Sequence, residues 1–357
     1  MLKSVGTVDV HDNEILQAVL TQFGGAGGNT LEGRLQAAAD YSGPGALEVP
    51  VFEDEILDVV RRTSPTLDRI KPKPATGHPH RYFEQTAIAT GASTDPRNLS
   101  PTPTGPTRQE RAAFIKATVA QSNLSLFDRD VTEQQGQFAS LQAKDVDDII
   151  SGITVTNAQM FWAGTDTSLL VPTTTEWVGA LEQITLQATI APGGSIIDAL
   201  KTEVAEMVAD TAHSALYKPK PTAIFMNPLL IDKIEQEAKT SHIELGTMNI
   251  TAGVTVKALA TQAGLLPLIP DPYMPTDVAG NYGFSAPPSG YKNYYAVIST
   301  EELLDIVYIG KGSDGKPRIF QLGLTGNLAG QFVGVLFNAL VVKGYAYAHA
   351  VLAVQRS

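Results

Sequence analysis

The sequence predicts an α+β chain from which a long two-stranded arm projects. Three observations carry this reading. Two extended, β-favouring runs are joined by a tip that holds Pro96, Pro101, Pro103 and Pro106. Amphipathic helical spacing is legible in mid-chain, over 130–163 and 196–216. The C-terminal part is a run of short apolar segments separated by Gly-rich turns, the pattern of strands rather than helices.

In chain order, the first 75 residues read as an arm. A short helix is expected over 13–22, with Ile15, Leu16, Val19 and Leu20 on one side, and Gly24-Gly-Ala-Gly-Gly28 ends it. A second helix over 49–61 begins near Pro50 and carries Ile56, Val59 and Val60 as its apolar stripe. Thr63-Ser-Pro-Thr and Lys71-Pro-Lys-Pro then read as a stiff polar connector.

The arm proper follows. Arg81-Tyr-Phe-Glu-Gln-Thr-Ala-Ile-Ala-Thr90 alternates, as does Arg111-Ala-Ala-Phe-Ile-Lys-Ala-Thr-Val-Ala120. The prolines between them forbid both helix and central strand. A lone two-stranded ribbon is marginal in water, and its bare edges invite pairing with another chain. Such an arm makes sense lying on a neighbouring subunit.

Over 130–163, Val146, Ile149, Ile150, Ile153, Met160 and Phe161 share one face of a 3.6-residue period. Gly152 and Thr154-Val-Thr weaken that helix, a kink is expected there, and Gly164 stops it. The segment 169–190 reads as mixed, with short strands. Ser195 and Asp198 open the helix at 196–216, whose inward stripe is Ile197, Leu200, Val204, Val208 and Ala212. The strand Thr222-Ala-Ile-Phe-Met226 runs into Asn227, a good N-cap, and Pro228, a good first helical residue, so a helix follows over 229–238. Strands are expected at 254–259, 265–269, 294–299, 304–309, 318–324, 332–342 and 345–354.

Bulk properties narrow the function. The chain has 357 residues, 43% of them hydrophobic and 18% charged, enough for a sizeable core. With no cysteine, disulfides and thiolate metal sites are excluded. The first residues lack the apolar run of a signal peptide, and no uncharged stretch has spanning length, so cytosol-like conditions are expected. A net charge of −11 argues against a surface built to grip nucleic acid, though not against a container wall around it. Ten acidic side chains precede residue 61 against Lys3 and Arg34, whereas Arg61, Arg62, Arg69, Lys71, Lys73 and Arg81 follow against Asp68 alone. These segments are either solvated faces or charge-complementary contacts between subunits, which favour register and encounter rate.

Catalytic constellations are not evident. His78-Pro-His80 has a metal-like spacing but lacks a ligand set, and His213 and His349 read as packed or hydrogen-bonded core residues. Gly24-Gly-Ala-Gly-Gly28 lacks the Lys-Ser/Thr ending of a phosphate loop and is better read as a hinge. Asp145-Val-Asp-Asp148 sits near a helix start, where acids oppose the dipole favourably. No cofactor, metal or catalytic residue is expected.

The order of these pieces resembles the major capsid proteins of tailed bacteriophages, the HK-ninety-seven-like capsid fold shared with encapsulins. The likeness rests on Ala223-Ile-Phe-Met-Asn-Pro-Leu-Leu-Ile-Asp-Lys-Ile, on Leu268-Ile-Pro-Asp-Pro-Tyr-Met and on the helix ending Ala158-Gln-Met-Phe-Trp-Ala-Gly-Thr-Asp166. The resemblance implies an N-terminal arm (1–75), an extended β-hairpin loop (76–123), a peripheral domain with a long spine helix (124–194), an axial α/β domain (195–290) and closing strands (291–357). It also implies subunits that form hexamers and pentamers and close into an icosahedral head around double-stranded DNA. The extended loop would lie across the next subunit, with Arg61, Arg62, Arg81, Phe83, Arg97, Arg108, Arg111 and Phe114 as contact residues.

Some members of that family weld the shell with an isopeptide bond from a loop lysine. Here residues 82–115 contain no lysine, and Lys116 on the returning strand is the nearest, so no such cross-link is expected. The short, weakly helical stretch before the loop points to a separate scaffolding protein, with a portal and a decoration protein as further partners. Assembly in a host cytoplasm into a virion is the implied setting. An encapsulin-like compartment is the main alternative, and an α/β enzyme with an oligomerisation arm is a second.

Overall fold

A computed structural model describes residues 64–89, 91, 93–97, 105–125, 127, 130, 131, 134, 141–209, 219–251, 254–310, 314–322 and 329–357. All of them belong to one compact unit, Leu57–Ser357. The expected helices at 13–22 and 49–61, the glycine hinge, His213, Arg61, Arg62 and most of the proline tip lie outside the described residues.

The larger sheet has eight strands, and its centre is the reason the C-terminal sequence is so apolar. β5 (Gln187–Ile190), β15 (His349–Arg356), β11 (Lys292–Ser299), β6 (Ala223–Met226), β9 (Gly264–Pro270), β8 (Val254–Thr261) and β7 (Gly246–Thr251) run in that order, and the short β10 (Thr276–Asp277) pairs with β11. Both faces of the central strands β6, β11 and β15 are covered, so inward-facing alternation disappears there and nearly continuous apolar runs replace it. On one face Phe225, Tyr295, Val297, Val351 and Ala353 pack with Phe161, Trp162 and Trp177. On the other, Ile224, Met226, Ala296, Ile298 and Leu352 pack beneath α4 (Ile196–Ala209) and α5 (Pro228–Thr240).

Local chemistry sets these two helices. The Asn227 side chain accepts from the Leu229 N–H and Pro228 opens α5, as the sequence predicts. Ser195 Oγ accepts from Asp198 N at 3.1 Å, and the Glu237 carboxylate of α5 accepts from Ile196 N at 2.9 Å and Ile197 N at 3.2 Å. One helix thus caps the orphan amides of the other.

The smaller sheet has five strands: β1 (Pro72–Pro74), β12 (Leu304–Ile309), β13 (Arg318–Leu322), β14 (Ala329–Val342) and β4 (Lys116–Ser125). β14 pairs along one side with β4 and along the other with β12 and then β13. Its Phe332 and Leu336 pack on Ile149 and Ile153 of α2 (Leu141–Ala163), the spine helix. Gly334 lies between them, where a Cβ would overlap the Ile149 and Ile153 side chains. α2 runs unbroken through Gly152 and stops before Gly164, whose amide donates to Met160 O at 3.1 Å. Ile150 is a correction: it sits on the expected inward stripe yet is exposed.

Two more expectations are revised. Lys71-Pro-Lys-Pro is not a free connector, because β1 adds in parallel to β12 (Pro72↔Ile306) at the sheet edge, where missing proline amides are tolerated. The segment 169–190 is mostly irregular, with the four-residue helix α3 (Ala180–Gln183) and only β5 as a strand.

Candidate functional site

The arm is present as β2 (His80–Ala87) paired antiparallel with β3 (Thr107–Ala113). The expected second strand, 111–120, is in fact two. β3 ends at Ala113, Phe114 donates its N–H to Leu169 O at 3.0 Å, and the chain re-enters the five-stranded sheet as β4. β2 and β3 pair with each other and with no third strand among the described residues.

Alternation gives the ribbon two unlike faces. The register places Arg81, Phe83 and Gln85 opposite Ala112, Glu110 and Arg108 on the outer face. There Phe83 is 76% exposed, Arg81 pairs with Glu110 at 2.8 Å, and Arg108 donates to Gln85 at 3.4 Å. Exposed ion pairs of this kind contribute little to folding. An exposed phenyl ring contributes nothing to the ribbon's own core.

The inner face, His80, Tyr82 and Glu84 with Ala113, Arg111 and Gln109, turns towards the rest of the chain. Ala113 is fully buried with Val307, Ala339 and Val341, and Tyr82 packs against them. His80 Nδ1 accepts from Thr76 N at 3.2 Å. Glu84, 8% exposed, accepts from Gly344 N at 2.8 Å, Tyr347 OH at 2.9 Å and Arg111 Nε at 3.3 Å. Arg111 also donates to Tyr345 OH at 3.0 Å and lies over that ring, 5.1 Å from its centroid. Burial and the Glu84 carboxylate push the Tyr82 hydroxyl up to about 12, and burial followed by the Lys343 ammonium lowers His80. The root is a packed, hydrogen-bonded joint that the sequence did not disclose.

Of the eight contact residues read from the sequence, Arg81, Phe83 and Arg108 are therefore brought together on one exposed face. Arg111 is on the opposite face and engaged with its own chain. Phe114 lies beyond the ribbon, half-buried, with His78 edge-on at 5.1 Å. Arg97 follows an Asp95 turn near the tip, its N–H donating to Asp95 Oδ1 at 2.9 Å.

Two buried carboxylates knit the body behind this joint. Asp271 is fully buried and accepts from Ser64 Oγ at 3.2 Å, Thr66 Oγ1, Trp162 Nε1 at 2.9 Å and Tyr273 N at 2.9 Å. It joins α1 (Pro65–Arg69), the spine helix and the end of β9. Asp166 accepts from Lys116 Nζ at 2.7 Å and from Thr173 Oγ1 at 2.7 Å, so β4 is tied to the loop after the spine helix. Burial pushes the Asp166 carboxyl up, but the Lys116 and Thr173 bonds outweigh it and hold it well below the usual carboxylate range. His349 is buried between Ser299 Oγ at 2.9 Å and Lys343 O at 3.0 Å, and burial lowers it to about 4. Among the described residues no cluster of histidine and carboxylate side chains could hold a metal, and no helix is long and apolar enough to cross a membrane.

Against known structures the chain aligns over most of its length with chains of capsids and of an encapsulin. The capsid of Ralstonia phage GP4 aligns with a TM-score of 0.60 at 12% identity, covering 87% of this chain and 95% of that one. The protein has the HK-ninety-seven-like capsid fold. The capsid of a native GTA particle gives 0.60 at 13% identity over 88% and 98% of the two chains. A holo-SrpI encapsulin complex from Synechococcus elongatus PCC 7942, with the same capsid fold, gives 0.56 at 13% over 89% and 94%. No family model and no curated protein sequence matches the chain.

Proposed function

We propose that this chain is the major capsid protein of a tailed bacteriophage, assembling into hexamers and pentamers of an icosahedral shell that encloses double-stranded DNA. The observation that carries the reading is the ribbon, which spends its inner face on its own chain and leaves Phe83, Arg81 and Arg108 outward. In a chain with the capsid fold, that face has a natural destination on the next subunit. Arg97, near the tip, extends the same contact, and Arg61 and Arg62 stay candidates for it on their charge in the sequence alone.

The role is structural rather than enzymatic. Individual contacts can be weak and correctable while the closed shell is very stable, because each subunit touches several others. Shared arm and domain faces reach the obligate range of roughly 2,000–5,000 Å². A separate scaffolding protein and a portal are the partners such a shell would use, with a decoration protein as an optional further one. Assembly takes place in the host cytoplasm, and the finished chain resides in the virion.

Negative-stain microscopy of the purified protein, alone and co-expressed with its neighbouring genes, tests the proposal. Rings or closed shells are expected, and a small closed oligomer under every condition would refute it. An encapsulin-type shell is the second reading, favoured by the encapsulin match at similar coverage. The contents decide between them: particles from the native source should hold nuclease-protected double-stranded DNA, not a protein cargo.

A further inference from the structure

The two faces of the ribbon raise the question of what aims the outer one. β2 is held to the body at two places along its length. At His80 the ring accepts from Thr76 N, and the adjoining Ala113 is sealed in a small core. Four residues on, about 13 Å further out at roughly 3.3 Å per residue, Glu84 makes the second attachment. Two fixed points along a strand define its direction. Beyond Ala87 and Thr107, the segments 88–89 and 105–106 are not paired as strands.

The second attachment is made against a rigid partner. Glu84 bonds Gly344 N and Tyr347 OH from 260 and 263 residues away. The turn that carries them, 343–348, is itself pinned from behind. Lys343 N donates to Leu303 O at 2.9 Å, Lys343 Nζ meets the buried Asp305 at 2.6 Å, and Thr185 N donates to Tyr345 O at 3.1 Å. The His349 ring meets Lys343 O at 3.0 Å. Arg111, reaching Glu84 from the paired strand and Tyr345 from the turn, ties both strands to the same spot.

We propose that Glu84 is the positioning residue that sets the direction in which the ribbon leaves the body, and with it the placement of the Phe83 face on a second copy of this chain. The inference rests on the shell-building reading above. Neighbouring residues cannot substitute. Gln85 faces outward, and Tyr82 is committed to the small core with Ala113. A ribbon freed at Glu84 would swing about the His80 end, spreading Phe83 over many positions and raising the entropy lost on docking.

The test compares E84A, E84Q and Y347F with the parent protein by hydrogen exchange and by shell yield. E84A should speed amide exchange in 80–87 and 107–113 by about tenfold, leave 292–299 and 349–356 unchanged, and lower shell yield several-fold. E84Q keeps an oxygen for Gly344 N–H and Tyr347 O–H, so it should restore most of both. Unchanged ribbon exchange in a folded E84A, or full shell yield with faster exchange, would overturn the proposal. Should E84A fail to fold, Y347F carries the decision: faster exchange confined to the ribbon supports it, and no change overturns it. A parent protein that forms no shell sinks the shell-building reading alone, since the exchange experiment still decides what Glu84 holds.

Discussion

Replacing Asp271 tests how the body is joined. Its Oδ2 gathers Ser64 Oγ, Thr66 Oγ1 and Trp162 Nε1, and its Oδ1 takes Tyr273 N. Ser64, Thr66 and Trp162 are each at most 2% exposed, so water cannot replace the lost acceptor. A buried donor left unsatisfied costs about 1–3 kcal/mol. With three such side chains, and allowing for partial relaxation, D271A should lose about 4–6 kcal/mol. That is a large part of the roughly 5–15 kcal/mol available to a typical domain.

D271N separates acceptor loss from cavity formation. Asn fills the same volume and can turn its oxygen towards the three side-chain donors, but its amide then faces Tyr273 N–H. One mismatched contact should cost about 2 kcal/mol. Urea unfolding of the unassembled subunit, followed by tryptophan fluorescence, reads both numbers with the denaturant slope as a control. A loss below about 1 kcal/mol for D271A at unchanged slope would refute the view that this carboxylate joins the three segments.

F83A should leave the melting temperature of the subunit unchanged while weakening subunit association by about 2 kcal/mol, read by light scattering across a concentration series. G334V should cost about 2–3 kcal/mol in the same urea assay, because its side chain would push into Ile149 and Ile153. Acid should destabilise the subunit: His349 is lowered to about 4 in the folded state from 6.5, so folding is opposed as pH falls from 6.5 towards 4, by on the order of 3 kcal/mol. Asp166 acts in the same direction, its lowered carboxyl losing its contribution as pH falls below the usual carboxylate range. H349Q should flatten the dependence between pH 6.5 and 4 in a set of urea melts. Shells boiled in SDS under reducing conditions should run as single chains without ladders, since the nearest lysine to the loop, Lys116, is already held by Asp166 and Thr174 O.

Local chemistry was the legible part of the fold. The unit 222–238 was readable because strand, cap and first helical turn are all neighbours in sequence, and 304–309 because its apolar run is bounded by turns. The break at Phe114 was hidden because both halves of 111–120 have strand-like residues, and only the sheet tells which partner each takes. Pro72 and Pro74 concealed an edge strand, since proline signals a connector until a parallel neighbour is known. The site was legible in outline only. Phe83 and the arginines could be named from composition, but their division between two faces required the register. Glu84 reads as an ordinary polar residue in an alternating strand, because its partners in the turn, Gly344 and Tyr347, lie 260 and 263 residues away. Asp271 sits in a motif recognised by character, yet its donors at 64, 66 and 162 lie more than one hundred residues off.

The most direct measurement shortens the ribbon. Replacing 88–106 with a two-residue Asn-Gly turn leaves β2, β3 and the Glu84 joint in place while removing the reach. The subunit should melt within about 2 °C of the parent, since every described residue of 88–106 is exposed, and no shells should form. Shells in normal number from the shortened chain, or a body that no longer folds, would contradict an arm whose purpose lies on another subunit.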